Sequence, residues 1–270
     1  MNNIILNNNK IYIIADIHGE FEFFLSKINY LGLNDCTLIV AGDCGFGFKT
    51  VKYYNNILNN INENLHKRNV YCYMIRGNHD DPSYFNGINK IDLSNLKTIS
   101  DYSILTYENK NILCIGGAIS IDRKYRIDKY NSNINYYIRI SNKTEEELRN
   151  IYMPYYYENE PPIFDFNLLE EIKNNNIKIN YVISHTSPKF CFKHDLKGIE
   201  FWLKKDEKLE ESLNEESETM SLIYNKLIND GHKIEKWVYG HFHEHNEEII
   251  NDIKFIALAN FDYLSDIELL

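Results

Sequence analysis

The blocks Asp16-Ile17-His18, Gly42-Asp43, Gly77-Asn78-His79-Asp80, Ser184-His185-Thr186 and Gly240-His241-Phe242-His243 bring together carboxylate, amide and imidazole donors. Ligands of these types suit divalent transition metals, and this many suit two neighbouring ions. Two cations side by side repel, so the site needs an anion between them and ligands fixed from several directions. Asp43, directly after an apolar run and a glycine, suits that bridge. Asp16 and His18 are two residues apart, so in an extended segment both side chains point to the same side and can grip one ion together. His241 and His243 share that spacing, but in a loop behind Gly240 they can reach two different ions. Asn78 offers a neutral amide oxygen, which keeps the site from becoming too negative to hold a phosphate. His185 sits at the end of its own apolar run and completes the set.

Ligands this far apart in sequence meet only if regular elements carry them to one place. Ile4–Leu6 and Lys10–Ala15, around Asn7-Asn8-Asn9, read as a hairpin ending at Asp16. Phe21–Leu31 reads as a helix stopped by Gly32, and Thr37–Ala41 as a strand running into Gly42-Asp43. A second helix over Lys52–Leu65 carries Ile57, Leu58, Ile61 and Leu65 on one face, and Val70–Ile75 is the next strand, leading to Asn78. Strand, polar residues at its C-terminal end, then helix is the pattern by which open α/β folds gather a site at one sheet edge.

From Ser103 onward shorter strands, Ile104–Tyr107 and Asn111–Gly116, flank Glu108-Asn109-Lys110 in hairpin fashion and suggest a second sheet packed on the first. Between Ile119 and Phe164 the periodicity weakens, Tyr and Asn dominate, and Pro154, Pro161 and Pro162 break the chain. This segment, about 119–164, reads as an insertion or cap folded over the site and as the source of substrate specificity. Phe166–Asn174 reads as a helix, and Ile179–Ile183 as a strand delivering His185. Lys204–Glu218, dense in both charges, reads as a solvated helix face or mobile loop without catalytic role, and Thr219–Asn229 as an amphipathic helix ended by Gly231. Trp237–Tyr239 delivers His241 and His243, and Phe255–Ala259 closes the sheet. With no internal repeat or low-complexity linker, residues 1–270 read as a single domain.

The bulk numbers agree with that reading. A chain of 270 residues that is 44% hydrophobic can bury a sizeable core. Its formal net charge of −10 argues against nucleic acid as a partner, because phosphate neutralisation needs clustered Lys and Arg. A small phosphorylated ligand stays compatible, since bound metals reverse the local field. Cys36, Cys44, Cys72, Cys114 and Cys191 are widely spaced, lack a Cys-x-x-Cys pair, and read as buried free thiols of a reducing compartment. The N-terminal apolar run is too short for a signal peptide, and no stretch approaches a membrane span, so the expected location is cytoplasmic, away from membranes. Oligomeric state is not legible here.

Taken in order, these blocks resemble the signature of the calcineurin-like metallophosphoesterases: Asp-x-His, Gly-Asp, Gly-Asn-His-Asp, a lone His and Gly-His-x-His, spanning Ile11 to Asn260. The resemblance implies a four-layer α-β-β-α sandwich of two mixed β-sheets flanked by helices. It implies that Asp16, His18 and His243 hold one metal, that Asn78, His185 and His241 hold the other, and that Asp43 bridges them. It further implies hydrolysis of a phosphate ester by a hydroxide held between the ions, with His79 as general acid and Asp80 orienting it. Mn, Fe and Zn all accept such ligands.

Gly116-Gly117-Ala118-Ile119-Ser120-Ile121-Asp122-Arg123 is similar to a Gly-Gly-Ala-x-Ser-x-Asp segment of some bacterial and phage members. Cys44-Gly45 after Asp43 departs from the Gly-Asp-x-x-Asp form of the larger protein phosphatases, which points away from a phosphoprotein substrate. Arg123 and Arg126 are candidates for phosphate contact, with pairing to surface acids as the plain alternative. His66, His194, His232 and His245 fall outside the blocks; only His245 is close enough to His243 to support it. A phosphomonoesterase is the favoured activity. The alternatives are a phosphodiesterase acting on a cyclic or dinucleotide substrate and a non-enzymatic, metal-binding interaction scaffold of the same fold.

Overall fold

A computed structural model describes residues 2–8, 10–191, 198–260 and 268–269; Asn9 and His194 lie outside the described residues. In chain order the elements are β1 (Asn3–Ile5), β2 (Ile11–Ile14), α1 (Phe21–Tyr30), β3 (Cys36–Val40), α2 (Val51–Lys67), β4 (Val70–Met74), α3 (Ser83–Asn86), β5 (Leu96–Thr98), β6 (Ser103–Tyr107) and β7 (Lys110–Ile115). They continue with α4 (Arg123–Ile140), α5 (Glu145–Ile151), α6 (Phe166–Asn174), β8 (Tyr181–Ser184), α7 (Ile199–Leu203), α8 (Leu209–Asn229), β9 (Lys236–Tyr239), β10 (Asn246–Ile250), β11 (Ile253–Ala257) and β12 (Glu268–Leu269).

The strands form two mixed sheets, one in the order β1-β6-β7-β8-β9-β11-β10 and the other β12-β2-β3-β4-β5. Alternation along the strands explains the layers. In the smaller sheet Ile11, Ile13, Ile39 and Ile75 point into a core shared with Cys114, Ile183, Val238 and Ile256 of the larger sheet. Their neighbours Ile14, Leu38, Val40, Cys72 and Met74 face the opposite way, onto Phe24 and Ile28 of α1 and Leu58, Ile61 and Leu65 of α2. On the far side of the larger sheet, Leu113, Val182 and Trp237 pack against Leu169 and Ile172 of α6 and Met220, Ile223 and Leu227 of α8. The result is a four-layer α-β-β-α sandwich. Each fully buried large apolar side chain contributes roughly 1.5–3 kcal/mol, so three stacked cores hold the sheet edges, and whatever they carry, in fixed relation.

The helices have local causes. Tyr54, Leu58, Ile61 and Leu65 line the buried stripe of α2, and Thr50 caps it by accepting from the Tyr53 N–H. The five cysteines are all free and buried. No helix among the described residues is long and apolar enough to cross a membrane.

Several local expectations are corrected. Ile4–Leu6 and Lys10–Ala15 do not form a hairpin: β1 pairs in parallel with β6 in the larger sheet, whereas β2 pairs with β3 in the smaller one. β2 lies between β12 and β3, and its two faces are covered by the helix layer on one side and the larger sheet on the other, which a terminal hairpin would not supply. The Tyr- and Asn-rich segment contains the helices α4 and α5; α4 buries only Ile134, which is why it shows no apolar stripe. The charged stretch up to Glu218 is largely the first half of α8, and its Glu216 is buried.

Candidate metal centre

Every predicted ligand lies just past the C-terminal end of a strand, and the strands concerned run parallel to one another within each sheet. Asp16 and His18 follow β2, Asp43 follows β3 and Asn78 follows β4, and these three strands pair in parallel. His185 follows β8, and His241 and His243 follow β9, again a parallel pair. The same edge of both sheets therefore delivers all seven.

The backbone there is strained in a consistent way. Asp16, His18, Asp43, His241 and His243 have φ of 58°, 46°, 49°, 71° and 56°, the left-handed region that side chains seldom occupy. Such conformations cost of order 1–3 kcal/mol each and persist where surrounding contacts over-determine them. Two glycines show the tightness: a Cβ on Gly42 would lie 2.2 Å from His185 Nδ1, and one on Gly77 would lie 2.1 Å from the Asp43 backbone nitrogen.

Two clusters result. One ligand atom from each of Asp16, His18, Asp43 and His243 lies within 4.8 Å of all the others. Within that group His18 Nε2 is 3.1 Å from His243 Nε2 and 3.8 Å from Asp43 Oδ2, and His243 Nε2 is 3.5 Å from Asp16 Oδ1. In the second cluster His185 Nε2 is 2.9 Å from Asn78 Oδ1 and 3.1 Å from Asp43 Oδ1, with the His241 ring 5.2 Å away between centroids. Asp43 thus touches both.

The donor chemistry tests whether metal ions fit. His185 Nδ1 lies 2.8 Å from the Ala41 carbonyl, which only accepts, so Nδ1 carries the proton and Nε2 of the neutral ring offers a lone pair. Three lone pairs, from His185 Nε2, Asn78 Oδ1 and Asp43 Oδ1, then converge in a fully buried place, and only a cation relieves that. With protons as the sole cations present, burial disfavours the His185 imidazolium, but Asp43 and Asp16 outweigh it and push its pKa up to about 9. Burial also works against the Asp43 carboxylate, and the imidazoles of His185, His79 and His18 hold it well below the usual carboxylate range. His241 is pushed the other way, well below an ordinary histidine, by burial and by His185. One cluster wants positive charge that neighbouring imidazoles cannot all supply as protons; the residues fit metal ions.

The remaining candidates sort by contact. His79 donates its backbone N–H to Asp43 Oδ1 at 2.8 Å, and its ring centroid is 4.9 Å from that of His18. Burial, with Arg126 and His18 adding to it, lowers the His79 ring to about 4. Arg126 Nη2 is 2.8 Å from His79 Nε2, and its Nε is held by Asp122 at 2.7 Å. Arg123 instead pairs with Asp206 at 2.7 Å. Asp80 meets backbone groups and not the His79 ring. Oδ2 accepts from the backbone of Cys44 and Gly77, and Oδ1 from Gly45 and Phe46, so it ties the loop after β3 to the loop after β4. It positions the backbones that carry Asp43 and His79, while the His79 ring faces Arg126. His245 Nε2 lies 3.8 Å from Glu247.

Sequence reasoning missed two buried carboxylates behind the ligands. Glu216 accepts from Thr186 Oγ1 at 2.6 Å and from Ile119 N at 2.5 Å. Its spacing before Met220, Ile223 and Leu227 on the buried stripe of α8 was the available signal. Glu160 accepts from Ser120 Oγ at 2.6 Å and Ser120 N at 2.9 Å, and Ser120 Oγ accepts from Asn78 Nδ2 at 2.9 Å. Burial pushes Glu160 up to about 8, against its bonds from Ser120 and the charges of Arg126 and Arg123.

No curated protein sequence matches the chain. Among solved structures, a dimetal phosphatase from Danio rerio aligns over 93% of this chain and 87% of its own, with a TM-score of 0.46 and 10% identity. A phosphopantetheinyl hydrolase from Mycobacterium tuberculosis aligns over 97% of this chain and 95% of its own, with a TM-score of 0.42 and 11% identity. The family model for calcineurin-like phosphoesterases matches residues 9–245, an interval that contains each strand-end ligand from Asp16 to His243. By that match the chain belongs to the calcineurin-like phosphoesterase family, and it is a metal-dependent phosphoesterase.

Proposed function

We propose that the chain is a two-metal phosphomonoesterase acting on a small phosphorylated substrate, built as one catalytic domain with a cap over residues 119–164. The observation that carries this reading is the double cluster of lone pairs around Asp43. Asp16, His18 and His243 would hold one ion, Asn78, His185 and His241 the other, and Asp43 would face both. When bound, such ions lower the pKa of water and neutralise charge on phosphoryl oxygens.

The protein's own groups do the rest. The guanidinium of Arg126, anchored by Asp122, offers fork-shaped donors to phosphate oxygens at the mouth of the site. His79, fixed through its backbone by Asp43, stands beside Arg126 to protonate the departing alkoxide; the phosphate dianion supplies the negative charge that its present surroundings withhold. Arg123, paired with Asp206, holds the cap to the segment before α8.

Specificity is assigned to the cap. Arg126 and Tyr130 are four residues apart on α4, so they share a helix face. Tyr130 lines a cavity of about 410 Å³ together with Phe48, Tyr53, Tyr137, Tyr152 and Tyr155. A pocket of that size, reached one helical turn along α4 from Arg126, supports a small organic leaving group over a protein chain. The net charge of −10 supports the same choice against nucleic acid.

The test is a hydrolysis screen of monoesters, linear diesters, cyclic nucleotides and dinucleotide polyphosphates with protein reconstituted with Mn, Fe or Zn. Small monoesters are expected to turn over fastest, with loss on chelation. Faster diester turnover would reassign the activity, and no turnover with any metal would leave the scaffold reading.

A further inference from the structure

We infer that Glu160 is a positioning residue that fixes which end of the Asn78 amide faces the metal centre, through Ser120. This inference rests on the two-metal reading above for its consequence, though not for its geometry.

Asn78 carries a carbonyl oxygen and an NH2 group of nearly equal shape, and only the oxygen can ligate a cation. Nothing within Asn78 itself chooses between the two orientations. The choice is made on its far side, where Nδ2 lies 2.9 Å from Ser120 Oγ. A serine hydroxyl both donates and accepts, so by itself it would accept either end of the amide. Glu160 removes that freedom. In its ionised form the carboxylate only accepts, and it takes the Ser120 hydroxyl hydrogen at Oε2, 2.6 Å away, and the Ser120 backbone N–H at Oε1, 2.9 Å away. With its hydrogen committed to Glu160, Ser120 Oγ can only accept from Asn78. The NH2 must therefore point to Ser120, and Oδ1 to His185 Nε2. Asn78, Ser120 and Glu160 are all buried, so water offers no alternative partner.

Glu160 is itself anchored. The Arg76 guanidinium donates to the carbonyls of Asn159, Glu160 and Pro161 at 2.8, 2.7 and 3.1 Å and pairs with Asp101 at 2.9 Å. The end of the cap is thereby locked to the residue preceding Gly77. Cations bound at the centre would favour the ionised form of a buried carboxylate nearby, so the relay and metal binding reinforce each other.

Glu160→Gln is the informative variant because it keeps the volume and removes the direction. Gln has one acceptor and one donor end, so it cannot accept both from Ser120 Oγ and from Ser120 N; one contact becomes donor against donor, or the hydroxyl reverses and Asn78 turns over. Two measurements on the full chain follow. In the metal-free protein, at a pH above the Glu160 value of about 8 so that its carboxylate is ionised, the side-chain amide protons of Asn78, held by Ser120, are expected to be shifted and slow to exchange by nuclear magnetic resonance, and to lose both properties in Glu160→Gln. On titration with Mn, the variant is expected to bind one ion as the unmodified protein does and the other about 10–100-fold more weakly, matching Asn78→Ala. Adding Ser120→Ala to Glu160→Gln should cause little further loss, since both act through one path.

An unchanged Asn78 amide signal in Glu160→Gln overturns the inference, as does unchanged Mn binding, or equal weakening of both ions together with a lowered melting temperature. If the unmodified protein binds only one ion, the two-metal reading falls, while the Asn78 signal still decides the relay.

Discussion

Replacing Asp43 by Asn tests the centre at the point where both clusters meet. The amide is isosteric and keeps an oxygen for the His79 N–H, which Asp43 Oδ1 accepts at 2.8 Å, so the fold is expected to survive. What disappears is one negative charge placed 3.1 Å from His185 Nε2 and 3.8 Å from His18 Nε2, among the ligand atoms of the two proposed ions. Two unit charges about 4 Å apart at an effective dielectric near 20 interact by about 4 kcal/mol. That corresponds to about three decades in a binding constant, and a divalent ion feels the loss twice over. The expected result is a Mn affinity reduced by at least about a thousandfold at one or both positions. Aryl phosphate hydrolysis should become undetectable at metal concentrations that saturate the unmodified protein. Calorimetric titration measures the first, a colorimetric assay the second, and circular dichroism confirms that the variant is folded. A folded Asp43→Asn protein that binds two ions with unchanged affinity and turns over at the unmodified rate would refute the reasoning.

Three further outcomes follow from the same geometry. His79→Gln should slow alkyl phosphates by about 10²–10⁴-fold and good aryl leaving groups far less, because only the former need a proton; equal loss for both would remove His79 as the acid. Gly42→Ala places a methyl group 2.2 Å from His185 Nδ1 at φ +90°, so chemical denaturation should show a loss of about 2–5 kcal/mol. A variant as stable as the original would mean that His185 is not seated against that turn. Asp80→Ala strands four backbone N–H groups, of Cys44, Gly45, Phe46 and Gly77, and at about 1–3 kcal/mol for each one left buried the protein should fail to fold at 37 °C or melt far lower. Wild-type-like melting of that variant would show that the two loops hold together without it.

Much of the ligand set was legible because its chemistry is written in residue type and local order. A carboxylate, amide or imidazole within a few residues of an apolar run is carried to a strand end by the same alternation that buries the run, and this holds for Asp43, Asn78, His185 and His241. Strand and helix periodicities made two packed sheets legible, and the full four-layer order came from the family resemblance of the motifs. Where the reading failed, the deciding contacts were remote in sequence. Ile4–Leu6 and Lys10–Ala15 look like a hairpin by local spacing, yet β1 pairs with β6 while β2 lies between β12 and β3 in the other sheet. Asp80 looks like a partner for the adjacent His79 ring, but its oxygens are claimed by backbone groups of the loop after β3, more than thirty residues away.

The sequence by itself determined which atoms can hold cations and which strand ends carry them, because donor chemistry and alternation are properties of short segments. Only the tertiary structure decided that Asp43 stands between two clusters, that Arg126 rather than Arg123 reaches His79, and that Glu160 and Glu216 lie buried behind the ligands. Those facts are distances between residues far apart in the chain. They are set by how two sheets and three cores pack, and a buried carboxylate is spelled with the same letter as a solvated one.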